Sequence, residues 1–219
     1  NNRYHPFFAA YTRHVLSDAV ADNLQYIEFR HEPGKMFDFN AAGNQTLSGI
    51  DAELQVIMEA VNDTQQQTPS FYGVRIIWPT RRSKNLAKIQ QALDLARNYS
   101  LKYPNFIVGF DLVGEEDLGY TLFHDMSVLV PGDSKIPYFF HAGETDWPSD
   151  INPSPNSDVP TDENIVDATV LSSMRFGHAA DLFKHPALFQ MVKSKGIAIE
   201  IAPISNQVIT AHHNTIQQH

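Results

Sequence analysis

The chain has 219 residues, no cysteine, and a net charge of −9 from 16 basic and 25 acidic side chains. That length can bury one sizeable core, and a composition 42% hydrophobic and 19% charged excludes wholesale disorder. The acidic balance, with no basic block, argues against nucleic acid or an anionic membrane as the main partner, and the missing cysteine removes disulfides, thiolate nucleophiles and Cys-ligated zinc.

Along the chain, apolar Phe8, Tyr11, Val15 and Val20 in PFFAAYTRHVLSDAVADN predict a first helix with those residues on one face. Leu24–Glu32 then reads as a strand, Met36–Gly49 as a poorly ordered stretch, and GIDAELQVIMEAVNDT as a second helix. Further strands are expected at Tyr72–Pro79, Asn105–Gly114, Ile136–Gly143, Met174–Ala179 and Gly196–Pro203. Helices fall between them in SKNLAKIQQALDLARNYSLKY, ENIVDATVLSS and HPALFQMVKSK, the last with Pro186 in its first turn. Asp146–Thr161 is a Pro/Ser/Asp-rich loop, read equally as a cover for a site or as a surface insertion. AHHNTIQQH reads as a polar tail. No apolar run is long enough to span a bilayer, and the start shows no signal-peptide pattern.

Six strand–helix repeats imply right-handed βα units and a parallel sheet, either doubly wound or a (β/α)8 barrel. The barrel is favoured because polar residues cluster at the C-terminal ends of several strands. These are Glu28, Arg30, Asp111, His141, Glu144, His178, Glu200 and Asn206. A barrel has eight strands in about 250 residues, two more than are found. Residues 1–219 are expected to form one domain.

YFFHAGETDW places His141 and Glu144 where an apolar strand breaks into a loop, with Gly143 allowing the chain to turn back. A neutral imidazole there suits a metal, and a carboxyl suits proton transfer. Spacing alone slightly favours a core histidine bonded to a backbone carbonyl and a helix-start glutamate. His178 follows Gly177 in RFGHAADLFKHP, and that glycine would let substrate or metal approach closely. His185 reads as a helix-entry residue, Glu200 as a strand acid needing a partner, and Ser205 and Asn206 as turn or cap residues. Gly114-x-x-x-x-Gly119 is not a P-loop, because Tyr120 stands at the lysine position. There is no zincin helix and no G-x-S-x-G elbow. Three N-x-[ST] sequons, at Asn44, Asn62 and Asn98, tilt towards an extracellular protein.

Taken together, GFDLVGEED, YFFHAGETDW, RFGHAADLFKHP and IEIAPISNQV resemble the adenosine deaminase family, nearest to its secreted growth-factor-related branch. The resemblance implies a zinc-dependent (β/α)8 TIM-barrel hydrolase converting adenosine, and 2'-deoxyadenosine, to inosine and ammonia. It makes His141 a zinc ligand, Glu144 the acid that protonates purine N1, and His178 the histidine that orients and deprotonates the attacking water. Gly114 becomes the glycine whose backbone contacts the purine. It further implies secretion and a small nucleoside as partner, with no nucleic acid and no membrane span. A homodimer is admitted without being specified. The family's His-x-His pair and Ser-Asp-Asp segment are absent from these residues, and Ala179 stands where the family has glycine. The expectation is therefore barrel strands two to seven, with the first and last missing. A catalytically silent secreted relative acting as a binding or growth-factor-like protein is the alternative.

Overall fold

The computed structural model describes residues 2–130, 136–144 and 161–214, with the backbone alone for 209–214. The chain divides into two compact units, Asn1–Trp78 and Pro79–His219. Nearly all of the Asp146–Thr161 loop and the side chains of the polar tail lie outside the described residues.

In the first unit, α1 (His5–Ala21) carries Pro6 in its first turn, where its missing N–H is no loss. Its buried face is Phe8, Thr12, Leu16 and Ala19, one residue round from the predicted stripe, and Tyr11 is 52% exposed. Thr12 is tolerated there because its hydroxyl donates to the Phe8 carbonyl at 2.9 Å. Strands β1 (Tyr26–Arg30) and β4 (Gly73–Arg81) pair in parallel, with Tyr26 opposite Gly73 and Arg30 opposite Ile77.

The stretch expected to lack order forms an antiparallel hairpin, β2 (Phe37–Phe39) and β3 (Gln45–Leu47). Its turn is made by Asn40, whose Oδ1 accepts the N–H groups of Ala42 and Asn44 at 3.0 and 2.9 Å. From α2 (Ile50–Gln67), the buried Glu53 accepts the N–H groups of Gly34, Lys35 and Met36 at 2.7–2.8 Å and His31 Nε2 at 2.8 Å. Burial pushes its carboxyl up, but His31 and these amides outweigh burial and leave it below the usual carboxylate range.

The second unit runs through α3 (Leu86–Lys102), β5 (Ile107–Val113), α4 (Met126–Leu129), β6 (His141–Ala142) and α5 (Asn164–Val170). It continues with β7 (Arg175–His178), α6 (Pro186–Lys195), β8 (Ala198–Glu200) and α7 (Pro203–Asn214). β6, β7 and β8 are parallel neighbours, with His141 opposite Gly177 and Gly177 opposite Glu200. A parallel bridge between Phe110 and Tyr138 ties β5 to the segment leading into β6. Phe110, Leu112, Phe140, Ala142 and Phe176 form a fully buried core beneath these strands.

All six predicted strands occur, but β6 is much shorter than Ile136–Gly143. Pro137 has no N–H for a ladder, and the Phe140 N–H goes to the Ser173 hydroxyl at 3.1 Å instead of a strand carbonyl. The first turn of α7 occupies residues expected as a turn. No helix among the described residues is long and apolar enough to cross a membrane.

Asp167 on α5 has an Oδ2 without a hydrogen-bond partner among the described residues. Burial, then the Glu163 charge, push its carboxyl up to about 6. The unfolded value is about 3.9, so the folded chain holds this proton more tightly. Its contribution to stability is therefore fully present below about pH 4 and lost as pH rises to about 6. Asp167→Asn should remove that fall and raise the urea midpoint at pH 7. An unchanged midpoint at pH 7 would refute the assignment.

Candidate active site

The C-terminal ends of β5, β6 and β7 bring together His141, Glu144 and His178. Asp111 on β5, fully buried, accepts the His141 backbone N–H at 3.0 Å and meets its Nδ1 at 2.7 Å. A carboxylate partner keeps the proton on Nδ1, so Nε2 carries the free lone pair.

Gly177, directly across the ladder, receives the face of that ring. A Cβ there would lie 3.2 Å from His141 Cγ, so this glycine makes room for the histidine ring, where the sequence suggests room for substrate or metal. In a regular strand, His178 would point away from the face that Gly177 presents to His141. Its φ of 72° turns the chain back, and the two imidazole rings stand 5.3 Å apart. Ala179 follows at φ 53°, so two successive non-glycine residues hold left-handed backbone at this point. Such strain, about 1–3 kcal/mol per residue, persists where surrounding contacts impose it and clusters at functional sites.

Those contacts are identifiable. Asn206 on α7 gives its Nδ2 to the Glu144 carbonyl at 2.6 Å, so its Oδ1, 2.9 Å from His178 Nδ1, is an acceptor. His178 Nδ1 therefore carries a proton. Its Nε2 lies 3.2 Å from Glu144 Oε1, and one proton between them completes the bond.

Beneath Glu144 lies the buried Glu116, in a short 3-10 turn, Glu116–Leu118. Its carboxylate accepts the N–H groups of Gly143 (3.1 Å) and Glu144 (2.5 Å) and the Asn164 amide (2.9 Å). Its own N–H donates to Glu144 Oε2 at 3.0 Å. Burial pushes the Glu116 carboxyl up, with the Arg82 guanidinium, 3.9 Å away, opposing. Gly143 makes the turn at φ 66°, as expected for the residue that sends Glu144 back over the strand end.

The chain matches the adenosine deaminase family model over residues 8–219. It belongs to the adenosine deaminase family. Adenosine deaminase 2 of Homo sapiens is 35% identical over 210 residues, covering 94% of this chain and 38% of that protein. The chain thus spans under half the length of this curated relative.

Among solved structures, adenine deaminase from Arthrobacter aurescens aligns with a TM-score of 0.66 at 18% identity, over 94% of this chain and 55% of that one. An amidohydrolase from Burkholderia ambifaria, with bound Zn, aligns at 0.64 and 15% identity, over 90% and 48%. These likenesses show the fold alone: the parallel strands and their helices form part of a (β/α)8 barrel.

Gly114 stands at the end of β5, exposed, with φ 104° and open space where a Cβ would point. It borders a cavity of about 260 Å³ also lined by Arg81, Ser83 and Glu115, two residues before the Glu116 that joins the histidine cluster. Glu200, only partly buried, is paired with Arg175 Nε at 2.5 Å. His185 stands at the entry to α6 as expected, with no capping hydrogen bond from its side chain.

Asn206 is neither turn nor cap, but the link between His178 and Glu144. Arg82 and Asn164 carry no sequence signal for the site, Glu116 lies among the acids of GFDLVGEED without a role of its own there, and Asp111 reads only as a strand-end acid.

Proposed function

We propose that the full-length protein hydrolyses adenosine, and 2'-deoxyadenosine, to inosine and ammonia with the help of zinc. The observation that carries this reading is the cluster in which two imidazoles and one carboxyl each have one polar atom fixed by the fold, with Glu144 Oε1 and His178 Nε2 sharing a proton and the His141 ring 5.3 Å from that of His178. The adenosine deaminases related to this chain support the choice of substrate.

In this reading Glu144 Oε1 presents a proton to purine N1, which makes C6 electrophilic. His178 Nε2 takes the proton of the water that adds to C6. The C6–N bond then breaks, ammonia leaves with that proton, and the C6 hydroxyl gives its proton to the Glu144 carboxylate as the C6=O bond forms, which restores the acid. Zinc, when bound, supplies the Lewis acidity that makes water nucleophilic near neutral pH. His141 Nε2 fits one ligand position. The described residues contain no group of three or more metal-binding side chains, so the remaining ligands would come from elsewhere in the full-length protein.

The test is the ultraviolet absorbance change as adenosine becomes inosine, run on full-length protein of verified zinc content. No turnover would favour the second reading, a silent secreted binding or growth-factor-like relative. Secretion draws support from Asn44, Asn62 and Asn98, whose side chains are all on exposed positions. Protein retained in the cells, with none recovered from the medium, would count against it.

Zinc gives a separate expectation. Asp111→Asn offers one oxygen where Asp111 offers two, so it cannot hold both the His141 N–H and Nδ1–H. Loss of such a supporting hydrogen bond weakens metal binding about 10–100-fold, and His141→Ala should weaken it further. Competition against a chelating dye measures both, and unchanged affinity in both variants would remove His141 from the metal site.

A further inference from the structure

We infer that Glu116 is the positioning residue for Glu144: it fixes the backbone that carries Glu144 and selects which of its two oxygens exchanges the proton. The inference rests on the proposed deamination only for the meaning of that proton.

Glu116 cannot itself be the acid. It is 1% exposed, and its two oxygens receive three N–H donors, from Gly143, Glu144 and Asn164. The direction of the Asn164 donor is settled, because Asn164 Oδ1 accepts the Leu122 N–H at 2.8 Å and leaves Nδ2 for Glu116.

The contact is reciprocal. The Glu116 carboxylate holds the Glu144 N–H, and the Glu116 N–H holds Glu144 Oε2. An oxygen accepting an amide N–H is favoured as the unprotonated one. Oε1, facing His178 Nε2, is then the oxygen that carries and gives up the proton. The two clamps together fix Glu144 in both position and rotation, which is what a proton donor aimed at a single ring nitrogen requires.

Glu116→Gln tests this with little change of shape. Its amide replaces one acceptor oxygen by an NH2 group, which must face an N–H of Gly143 or Glu144 or the Asn164 NH2. A misplaced reacting group costs about 10²-fold, so kcat for adenosine should fall about that much while KM stays within about threefold. Added to Glu144→Gln, the same change should cost less than about threefold more, since the group it positions has already lost its proton. Fully additive losses, or a kcat equal to wild type, would overturn the inference.

A second readout does not need turnover. In full-length protein labelled with 15N-glutamate, the Glu144 amide proton should lie far downfield and move upfield in Glu116→Gln. The Glu116 amide should shift in Glu144→Gln, which also serves if Glu116→Gln does not fold. Unmoved amides would sink the coupling. A wild type that shows these shifts but no turnover would instead leave the coupling in place and remove the deaminase reading.

Discussion

Full-length protein carrying Glu144→Gln is expected to lose about 10²–10⁴-fold in kcat for adenosine, the usual contribution of general acid–base catalysis, while keeping its zinc and its thermal midpoint. The geometry explains why so large a loss comes with so little structural change. Glu144 Oε2 accepts the Glu116 N–H, and a glutamine oxygen can do the same. Glu144 Oε1 shares a proton with His178 Nε2, and a glutamine NH2 can donate to the neutral imidazole in its place. Asn206 continues to hold His178 and the carbonyl of residue 144. Every contact has a substitute except the proton that must leave for purine N1.

His178→Ala gives a contrasting variant, because it removes both the proton acceptor and the partner of Oε1. Undiminished turnover in Glu144→Gln would keep the enzyme and remove this mechanism.

The parts of this site legible in the sequence were those whose signal is local. His141, Glu144 and Gly143 lie within four residues, and a short aromatic strand before them marks a strand end. His178 was found by the same rule, yet its direction was not legible: a period of two sends it to the wrong face, and only a positive φ returns it. What escaped was long-range. Glu116 meets Glu144 across 28 residues, His141 meets Asp111 across 30, and Asn206 reaches the Glu144 carbonyl across 62. No spacing rule joins an acid on one strand to a histidine on the next, although Asp111 amid the buried β5 pattern demanded a partner of some kind.

The fold shows the same division. Runs of Ile, Val and Phe placed all six strands. The α1 face was misplaced by one residue because a buried threonine satisfied by its own helix carbonyl looks polar in the sequence. The β2–β3 hairpin escapes a pattern reading because its strands are three residues long, its turn is held by the Asn40 side chain, and Phe37 is buried through contacts with the distant Tyr4.

Arg82→Ala should be the most destabilising single change near the site. The Arg82 side chain is 1% exposed. Its Nη2 donates to the carbonyls of His141 at 2.7 Å and Leu112 at 3.2 Å, which joins the ends of β6 and β5 through one guanidinium. Its stem fills the space over Gly119, where a Cβ would sit 2.2 Å from Arg82 Cγ. Nε and Nη1 find no hydrogen-bond partner among the described residues, so burying this cation has itself been expensive. The expected loss therefore comes from what the variant leaves behind and not from any large net gain in having the pair.

The buried Leu112 carbonyl and the part-buried His141 carbonyl lose this donor, and Glu116 keeps a buried carboxylate without its cation. Breaking a buried pair in this way costs about 3–5 kcal/mol, a large part of a domain's usual 5–15 kcal/mol or so. Because burial already pushes the Glu116 carboxyl up and Arg82 opposes that, removing Arg82 must push it further. The folded variant then binds a proton that the unfolded chain has released, so its deficit should shrink as pH falls from about 7 towards 5. Urea unfolding at both pH values, with Arg82→Ala/Glu116→Gln beside the single variants, measures this. The double variant should lose less than the two single losses added, because the stranded charge is gone. A loss below about 1 kcal/mol in Arg82→Ala, or one that grows at low pH, would show that the guanidinium does not hold these strand ends together.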